Sequence, residues 1–223
     1  MFHHLPIVRK LALLFVLFIV VTFSNACKKN LTIRKSVYNE TFEDGIPNGI
    51  SALTGSGDTY GRMVRPFNGT NVLGMFNNTL VSIEVDSLPV HNMIYVELDF
   101  YAHDAWEGNK VSPNGIVDVW NIQVNGGLQL STTFSNTPQN KQSYPDWIGS
   151  AIAAPPRSNS MDTLVNGFCA NDDKKNGSSR YRIVFSRAHT ENSLLLQFND
   201  ALQGAPCYKS WSIDNIHIET ITN

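Results

Sequence analysis

Four oxygen-bearing side chains lie close together near the middle of the chain. Asp104, Glu107 and Asn109 fall in one short segment, and Asp118 follows soon afterwards. Carboxylate and amide oxygens are the ligands that Ca²⁺ takes in proteins. The pattern has two interpretations: a cation site, or a solvated turn in which the neighbouring Trp106 packs over the edge of the fold.

Aromatic side chains form a second group that could bind a ligand. Tyr144 and Trp147 lie in a stretch rich in Pro, Asn and Ser, and Tyr101 has an outward-facing position on a predicted strand. Exposed aromatic rings give sugar-binding proteins a large contact area by stacking. Together with Trp106, these residues are candidate ligand-binding residues. The alternative is that they cover the core beneath a long loop.

Catalytic motifs are not found in the sequence. His91, His103, His189 and His217 occur in no His-Glu-x-x-His arrangement, and the chain has no Gly-x-Ser-x-Gly elbow. A pair of carboxylates brought together by folding could act as in a glycosidase, but nothing singles out one pair. The sequence therefore favours a binding module, with a polysaccharide hydrolase or lyase as the alternative.

The residues that would position these groups alternate with the period of β-strands. Ile94, Val96, Leu98, Phe100 and Ala102 alternate with mainly polar residues, which predicts a half-buried strand. Many short strands separated by Gly and Asn turns predict an antiparallel β-sandwich. Other predicted strands are Val37–Glu43, Val72–Phe76, Val81–Val85, Ile116–Val124, Leu128–Thr133, Tyr181–Phe185, Leu194–Phe198 and Trp211–Ile218.

One long segment interrupts this pattern, and one strand changes its pattern midway. Residues 137–179 are rich in Pro, Asn, Ser and Gly and predict a long loop insertion. In the last predicted strand, Trp211 and Ile213 share one parity, whereas Ile216 and Ile218 share the other. Such a change predicts a β-bulge, which turns side chains towards a new direction.

The two ends of the predicted domain resemble galactose-binding-like jelly-roll modules. These modules often open with a Phe-Glu-x-Gly segment, similar to Phe42-Glu43-Asp44-Gly45, and close with a strand similar to Ile213-Asp214-Asn215-Ile216. The resemblance implies a jelly-roll fold and a structural Ca²⁺ held by Glu43 and Asp214, with backbone carbonyls of the adjoining turn. The alternative is that the two acidic residues hold no ion.

A larger part of the chain resembles a family of uncharacterised exported bacterial β-sandwich domains, and this match covers most of the predicted mature protein. The matching segments are His103–Asn109, Asp118–Trp120, Thr132–Asn136, Gln142–Pro145 and residues 189–218. This resemblance implies the same fold and no established activity. The chain departs from the pattern in Cys207-Tyr208-Lys209-Ser210-Trp211, where acidic residues usually precede the Trp, and Ser212 replaces a Gly.

The N-terminus predicts export. A basic start is followed by the apolar run Leu11–Phe23, which is shorter than the roughly 20 residues that span a bilayer. Ser24-Asn25-Ala26-Cys27 resembles the lipobox of bacterial lipoproteins, and Cys27-Lys28-Lys29-Asn30 resembles the mature start of many lipoproteins of the Bacteroidota. The resemblance implies that Cys27 is acylated and anchors the protein in the cell envelope. With the strand pattern, we expect a signal peptide at 1–26, a tether at 27–36 and a sandwich domain at 37–221. An ordinary secreted protein is the alternative.

The remaining cysteines and the charge narrow the choice of function. Cys169 and Cys207 predict a disulfide in an oxidising compartment, and a metal pair or catalytic thiol is less favoured because no Cys-x-x-Cys is present. A net charge of −2 gives no footprint for nucleic acid. We expect a lipid-anchored protein of the cell envelope, at the outer membrane or cell surface, that binds a glycan or a protein partner. A structural or adhesive subunit without a small ligand is a further alternative.

Overall fold

The computed structural model describes residues 32–223, so the predicted signal peptide and Cys27 lie outside the described residues. Its main compact unit spans Arg34–Thr222. Within 32–223, no helix is long and apolar enough to cross a membrane. The elements of this part are the strands β1 (Ile33–Glu40), β2 (Ile50–Thr54), β3 (Val64–Phe67), β4 (Thr70–Phe76), β5 (Thr79–Val85), β6 (Met93–Asp104), β7 (Val119–Val124), β8 (Gly127–Thr133), β9 (Asp162–Val165), β10 (Ser178–Ala188), β11 (Leu194–Asp200) and β12 (Lys209–Thr222).

The strands form two antiparallel sheets. The first has the order β3-β4-β12-β6-β10-β9, with β1 also paired to β12, and the second has the order β2-β5-β11-β7-β8. Most successive strands from β4 to β12 alternate between the two sheets. The prediction of an all-β jelly-roll sandwich is therefore confirmed.

Aromatic rings fill the space between the sheets. Phe100 of β6 lies at the centre, with its ring centroid 4.3 Å from that of Trp120 and 4.4 Å from that of Phe134. Trp120 stacks in turn on Phe198 at 5.6 Å. These rings are fully buried, and each buries apolar area that stabilises the sandwich.

Three strands were not predicted, and each has a physical reason. β3 contains Pro66, which is tolerated there because β3 is an edge strand. β9 has four residues and lies inside the predicted long loop, so this insertion contains one short strand. β2 has only five residues, and its burial pattern alternates poorly. In addition, β1 begins at Ile33, inside the segment expected to be a tether.

The predicted bulge in the last strand is confirmed. The pairing of β12 with β6 shifts between Asp214 and His217, and Asn215 has a positive φ of 50°. Because of this shift, Ile213, Ile216 and Ile218 are all fully buried although their parity changes. The bulge places Asp214 opposite Asp99 of β6.

The predicted disulfide is also confirmed. Cys169 and Cys207 are bridged, with Cα atoms 5.1 Å apart and a sequence separation of 38. The carboxylate of Asp104 accepts hydrogen bonds from the backbone N–H groups of Cys169 (3.2 Å) and Asn171 (2.9 Å). The bridge and this carboxylate together hold the second half of the long loop against the sandwich.

Candidate functional site

A cleft of about 270 Å³ lies between the edge strand β8 and strand β10, at the open side of the sandwich. Tyr144, Pro145 and Trp147 of the long loop form one wall. The Trp147 side chain is 45% exposed, so part of its ring is available for contact. The other lining residues are Gln129, Leu130, Ile183, Val184 and Phe185.

Backbone hydrogen bonds to β8 hold this wall in place. The N–H of Tyr144 donates to the Thr133 carbonyl at 3.1 Å, and the N–H of Ile148 donates to the Ser131 carbonyl at 2.8 Å. The hydroxyl of Thr132 donates to the Asp146 carbonyl at 2.7 Å. The loop therefore follows the free edge of β8, which fixes the position of Trp147 between these anchors.

Tyr144 closes the inner end of the cleft. Its ring lies 4.9 Å from Phe134 and 5.3 Å from Tyr181, both part of the core. Its hydroxyl donates to the Arg182 carbonyl at 3.2 Å, and burial raises the pKa of Tyr144. Tyr144 therefore supports the cleft floor, while Trp147 presents the exposed ring.

Trp106 is not a ligand-binding residue, contrary to the prediction. Its side chain is fully buried, with its ring packed edge-on against Phe100 and Phe134. Its indole N–H donates to the Ser210 carbonyl at 2.6 Å. The backbone after β6 turns the side chain into the core, so no ring face remains for a sugar.

The prediction that Tyr101 binds a ligand is also wrong, because its side chain is buried. It does point away from the main core, as its parity predicts, but it is only 2% exposed. Phe67 of β3 packs against it at 5.5 Å, and Phe168 of the long loop stacks on Phe67. The outer face of the first sheet is covered here, which the alternation of residues cannot reveal.

The ammonium group of Lys209 occupies the place of the predicted second cation. The ammonium group of Lys209 lies 2.9 Å and 3.0 Å from the two carboxylate oxygens of Asp118, and 3.2 Å from Glu107. Burial raises the pKa of Asp118 despite this contact, whereas the ammonium groups of Lys110 and Lys209 outweigh burial and lower the pKa of Glu107. Lys209 therefore forms an ion pair with two of the residues that were predicted to bind a cation.

The other two predicted ligands of that site face elsewhere. The Asp104 carboxylate holds the N–H groups beside Cys169, as described above, and burial raises its pKa. The side-chain oxygen of Asn109 accepts hydrogen bonds from the hydroxyls of Thr133 and Ser143. Asp104, Glu107, Asn109 and Asp118 therefore do not converge on one point.

Glu43 and Asp214, predicted to share a calcium ion, are close enough to interact electrically. Burial, together with the charges of Asp99 and Glu43, raises the pKa of Asp214 to about 7. The Glu43 carboxylate is exposed and accepts hydrogen bonds from the Thr70 hydroxyl and from the backbone and side chain of Asn71, which lower its pKa. The charge of Glu43 therefore acts at the bulge.

Asp99 was not among the predicted ligands, but it lies opposite Asp214 at the bulge. The side-chain N–H₂ of Asn215 donates to Asp99 at 2.9 Å and to Asp214 at 3.3 Å. One oxygen of Asp99 has no hydrogen-bond partner, and the Arg182 guanidinium lies 3.7 Å from it. Across residues 32–223, no group of three or more His, Cys, Asp or Glu side chains has the geometry to hold a metal ion.

A histidine pair that joins the β5–β6 loop to the β10–β11 loop was also missed. Nε2 of His91 lies 2.7 Å from Nδ1 of His189, and Nδ1 of His91 lies 2.6 Å from the Pro89 carbonyl. Because the Asn125 amide donates towards Nε2 of His189, these contacts are all satisfied when both rings are neutral. The two residues are 98 positions apart, and no local pattern signals their contact.

No protein-family model matches the chain, and no curated protein matches it. Among solved structures, it is similar to dimeric latent PorU from Porphyromonas gingivalis, with a TM-score of 0.42 and 13% identity, covering 86% of this chain and 13% of that one. It is also similar to the K3 adhesin domain of Lys-gingipain from the same organism, with a TM-score of 0.37 and 14% identity over 84% and 99% of the two chains.

A third similar structure is a family 35 carbohydrate binding module from Clostridium thermocellum. The TM-score is 0.36 and the identity 9%, over 81% of this chain and 95% of that one. At these identities and TM-scores, the similarities carry no argument about function. The function of this chain has to be argued from its own residues.

Proposed function

We propose that the protein is a glycan-binding module of the cell envelope, and that the cleft lined by Tyr144 and Trp147 holds the sugar. The observation that carries the proposal is the exposed ring of Trp147 at the rim of a preformed cleft. Stacking on this ring gains contact area with little loss of backbone freedom, because hydrogen bonds already hold the Tyr144–Ile148 segment that carries it.

The disulfide supports the cellular location. A bridge between Cys169 and Cys207 persists in oxidising surroundings such as the periplasm or the cell surface. We propose that acylated Cys27 anchors the domain there, since acyl chains bind membranes by about 0.8 kcal/mol per buried CH₂. A protein partner at the same cleft is the competing occupant.

A glycan array probed with the disulfide-bonded domain, residues 32–223, tests the proposal. We expect binding to a restricted set of glycans and no release of reducing ends from them on prolonged incubation. Trp147→Ala should lose the array signal, whereas Tyr208→Ala, which removes a comparably exposed aromatic ring away from the cleft, should keep it. Sugar release from a bound glycan would instead favour the hydrolase or lyase alternative.

We also propose a structural Ca²⁺ at the bulge, with Asp214 as its main ligand. Asp99 and Asp214 offer carboxylate oxygens from paired positions, and one oxygen of Asp99 has no hydrogen-bond partner. These donors suit Ca²⁺ in chemical type, and Glu43 contributes negative charge nearby. The ion would tie β12 to β6 and to the turn after β1.

Thermal unfolding with Ca²⁺ and with EGTA tests this site. An ion bound only by the folded state stabilises it by about 2.7 kcal/mol at a hundredfold excess over its Kd. Asp214→Asn should remove most of the response, whereas Asp146→Asn, at an exposed carboxylate beside the cleft, should retain it. Equal melting temperatures with Ca²⁺ and EGTA, after chelation shown to strip metal, would exclude the ion.

The response should also depend on pH in a known direction. The pKa of Asp214 is raised from 3.8 to about 7 in the fold, so its stabilising contribution is complete below 3.8 and is lost as pH rises through about 7. Calcium requires the ionised carboxylate. The gain in melting temperature from Ca²⁺ should therefore be larger above pH 7 than at pH 5, and Asp214→Asn should abolish that difference.

A further inference from the structure

The residues that line the Trp147 cleft carry no formal charge. None of them is Asp, Glu, Lys, Arg or His. The one ionisable group in the lining is the phenol of Tyr144, which burial keeps protonated and which already donates to the Arg182 carbonyl. The cleft therefore offers apolar surface and neutral hydrogen-bonding groups.

The polar groups left for a ligand are amides. The side chain of Gln129 is partly exposed in the lining and has no hydrogen-bond partner in the described structure. β10 pairs with β9 only between Ser178 and Arg180, so beyond that point its outer edge has no neighbouring strand. Arg182 uses its outward carbonyl for Tyr144, and the N–H and C=O of Val184 point to the same side.

The charged residues close to the cleft do not favour binding of an anionic ligand. Asp146 lies between Pro145 and Trp147 and carries an exposed carboxylate. Arg182, the basic residue next to Ile183, is engaged by Glu97 at 3.1 Å and by Asp99 at 3.7 Å. A ligand carboxylate would therefore lose water without gaining a cationic partner, which is unfavourable.

We infer that the ligand of this cleft is a neutral, hydroxyl-rich sugar and not a uronic acid or another acidic sugar. The inference rests on the proposed glycan-binding function. One C–H face of the sugar ring stacks on Trp147, and its hydroxyls bond to the Gln129 side chain and the free edge of β10. Amides donate and accept hydrogen bonds, as hydroxyls do, so no charge is needed. The volume of about 270 Å³ is near the lower end of small-molecule sites, which suits a chain end or a single unit.

Matched ligand pairs test the inference. Titration calorimetry with the disulfide-bonded domain compares oligogalactosides with oligogalacturonides, and glucosides with glucuronides, of equal length and linkage. Of the two neutral ligands, we expect the one with the higher affinity to bind at least about tenfold more tightly than its acidic counterpart. Its affinity should depend little on salt. Gln129→Lys should reduce the difference in affinity between the neutral and acidic ligands, because it adds a cation at the cleft. Gln129→Leu should weaken binding of the neutral ligand.

The outcomes separate the inference from the function on which it rests. Equal or tighter binding of the acidic member, lost in Trp147→Ala, would overturn the neutral-ligand inference and leave glycan binding at the cleft intact. Binding that persists in Trp147→Ala would place the ligand elsewhere and overturn both. Failure to bind these pairs and every other glycan on the array would also overturn both.

Discussion

Trp106 and Trp147 are the same residue type, were predicted to have the same role, and have opposite surroundings. Trp106 follows β6 and is fully buried, with its indole N–H bonded to the Ser210 carbonyl. Trp147 lies in the long loop, is 45% exposed and borders a cleft. One tryptophan therefore stabilises the sandwich, and the other is free to contact a ligand.

The difference teaches that local pattern does not decide exposure in this chain. Trp106 lies in an acidic turn that looks solvated, yet the backbone turns it inwards. Tyr101 points outwards as its parity predicts, yet Phe67 and Phe168 cover it. Exposure is decided by which distant segments fold over each position, and at Tyr101 these are β3 and the long loop.

Trp106→Ala should have the largest effect on stability. Truncating a fully buried tryptophan costs about 3–5 kcal/mol, because it removes apolar contacts and leaves a cavity. Chemical denaturation monitored by circular dichroism measures the free energy of unfolding. Trp147→Ala is the matched control, and its free energy of unfolding should change by no more than about 0.5 kcal/mol. Equal losses of unfolding free energy in the two variants would contradict the conclusion that Trp106 stabilises the fold and Trp147 does not.

Removing the disulfide should have the next largest effect. The double substitution Cys169→Ser with Cys207→Ser opens a loop with a sequence separation of 38, which costs about 3–4 kcal/mol in the chain-entropy model. The loop that carries Phe168 should loosen, so hydrogen exchange should increase around Cys169 and Asn171. The Trp147 wall is held separately by β8 and should keep its protection. Unchanged exchange next to Cys169 would contradict the role given to the bridge.

Much of the fold could be predicted from the sequence, because its signals are local. The alternation in β6 and the parity change near Asp214 both correspond to observed features. The short edge strands β3 and β9 could not be predicted, since β3 contains a proline and β9 lies in a polar loop. Their pairing depends on partners far away in the chain.

The candidate site was only partly predictable for the same reason. Tyr144 and Trp147 were selected from composition, and both line the cleft. The contact of Lys209 with Asp118 joins residues 91 positions apart, and Asp99 meets Asp214 only through strand pairing. Residue types indicated possible ligands, but folding decided which carboxylates were already paired.

The most direct test of the central claim is the affinity of wild type and Trp147→Ala for the glycan that gives the strongest array signal. Calorimetry should show a loss of about 1–3 kcal/mol in binding free energy, taking as a guide the range for nucleic-acid bases stacked on aromatic side chains. Both proteins should unfold at the same denaturant concentration, so that the loss reports contact and not stability. Undiminished affinity in a fully folded Trp147→Ala variant would contradict the assignment of the cleft as the glycan site.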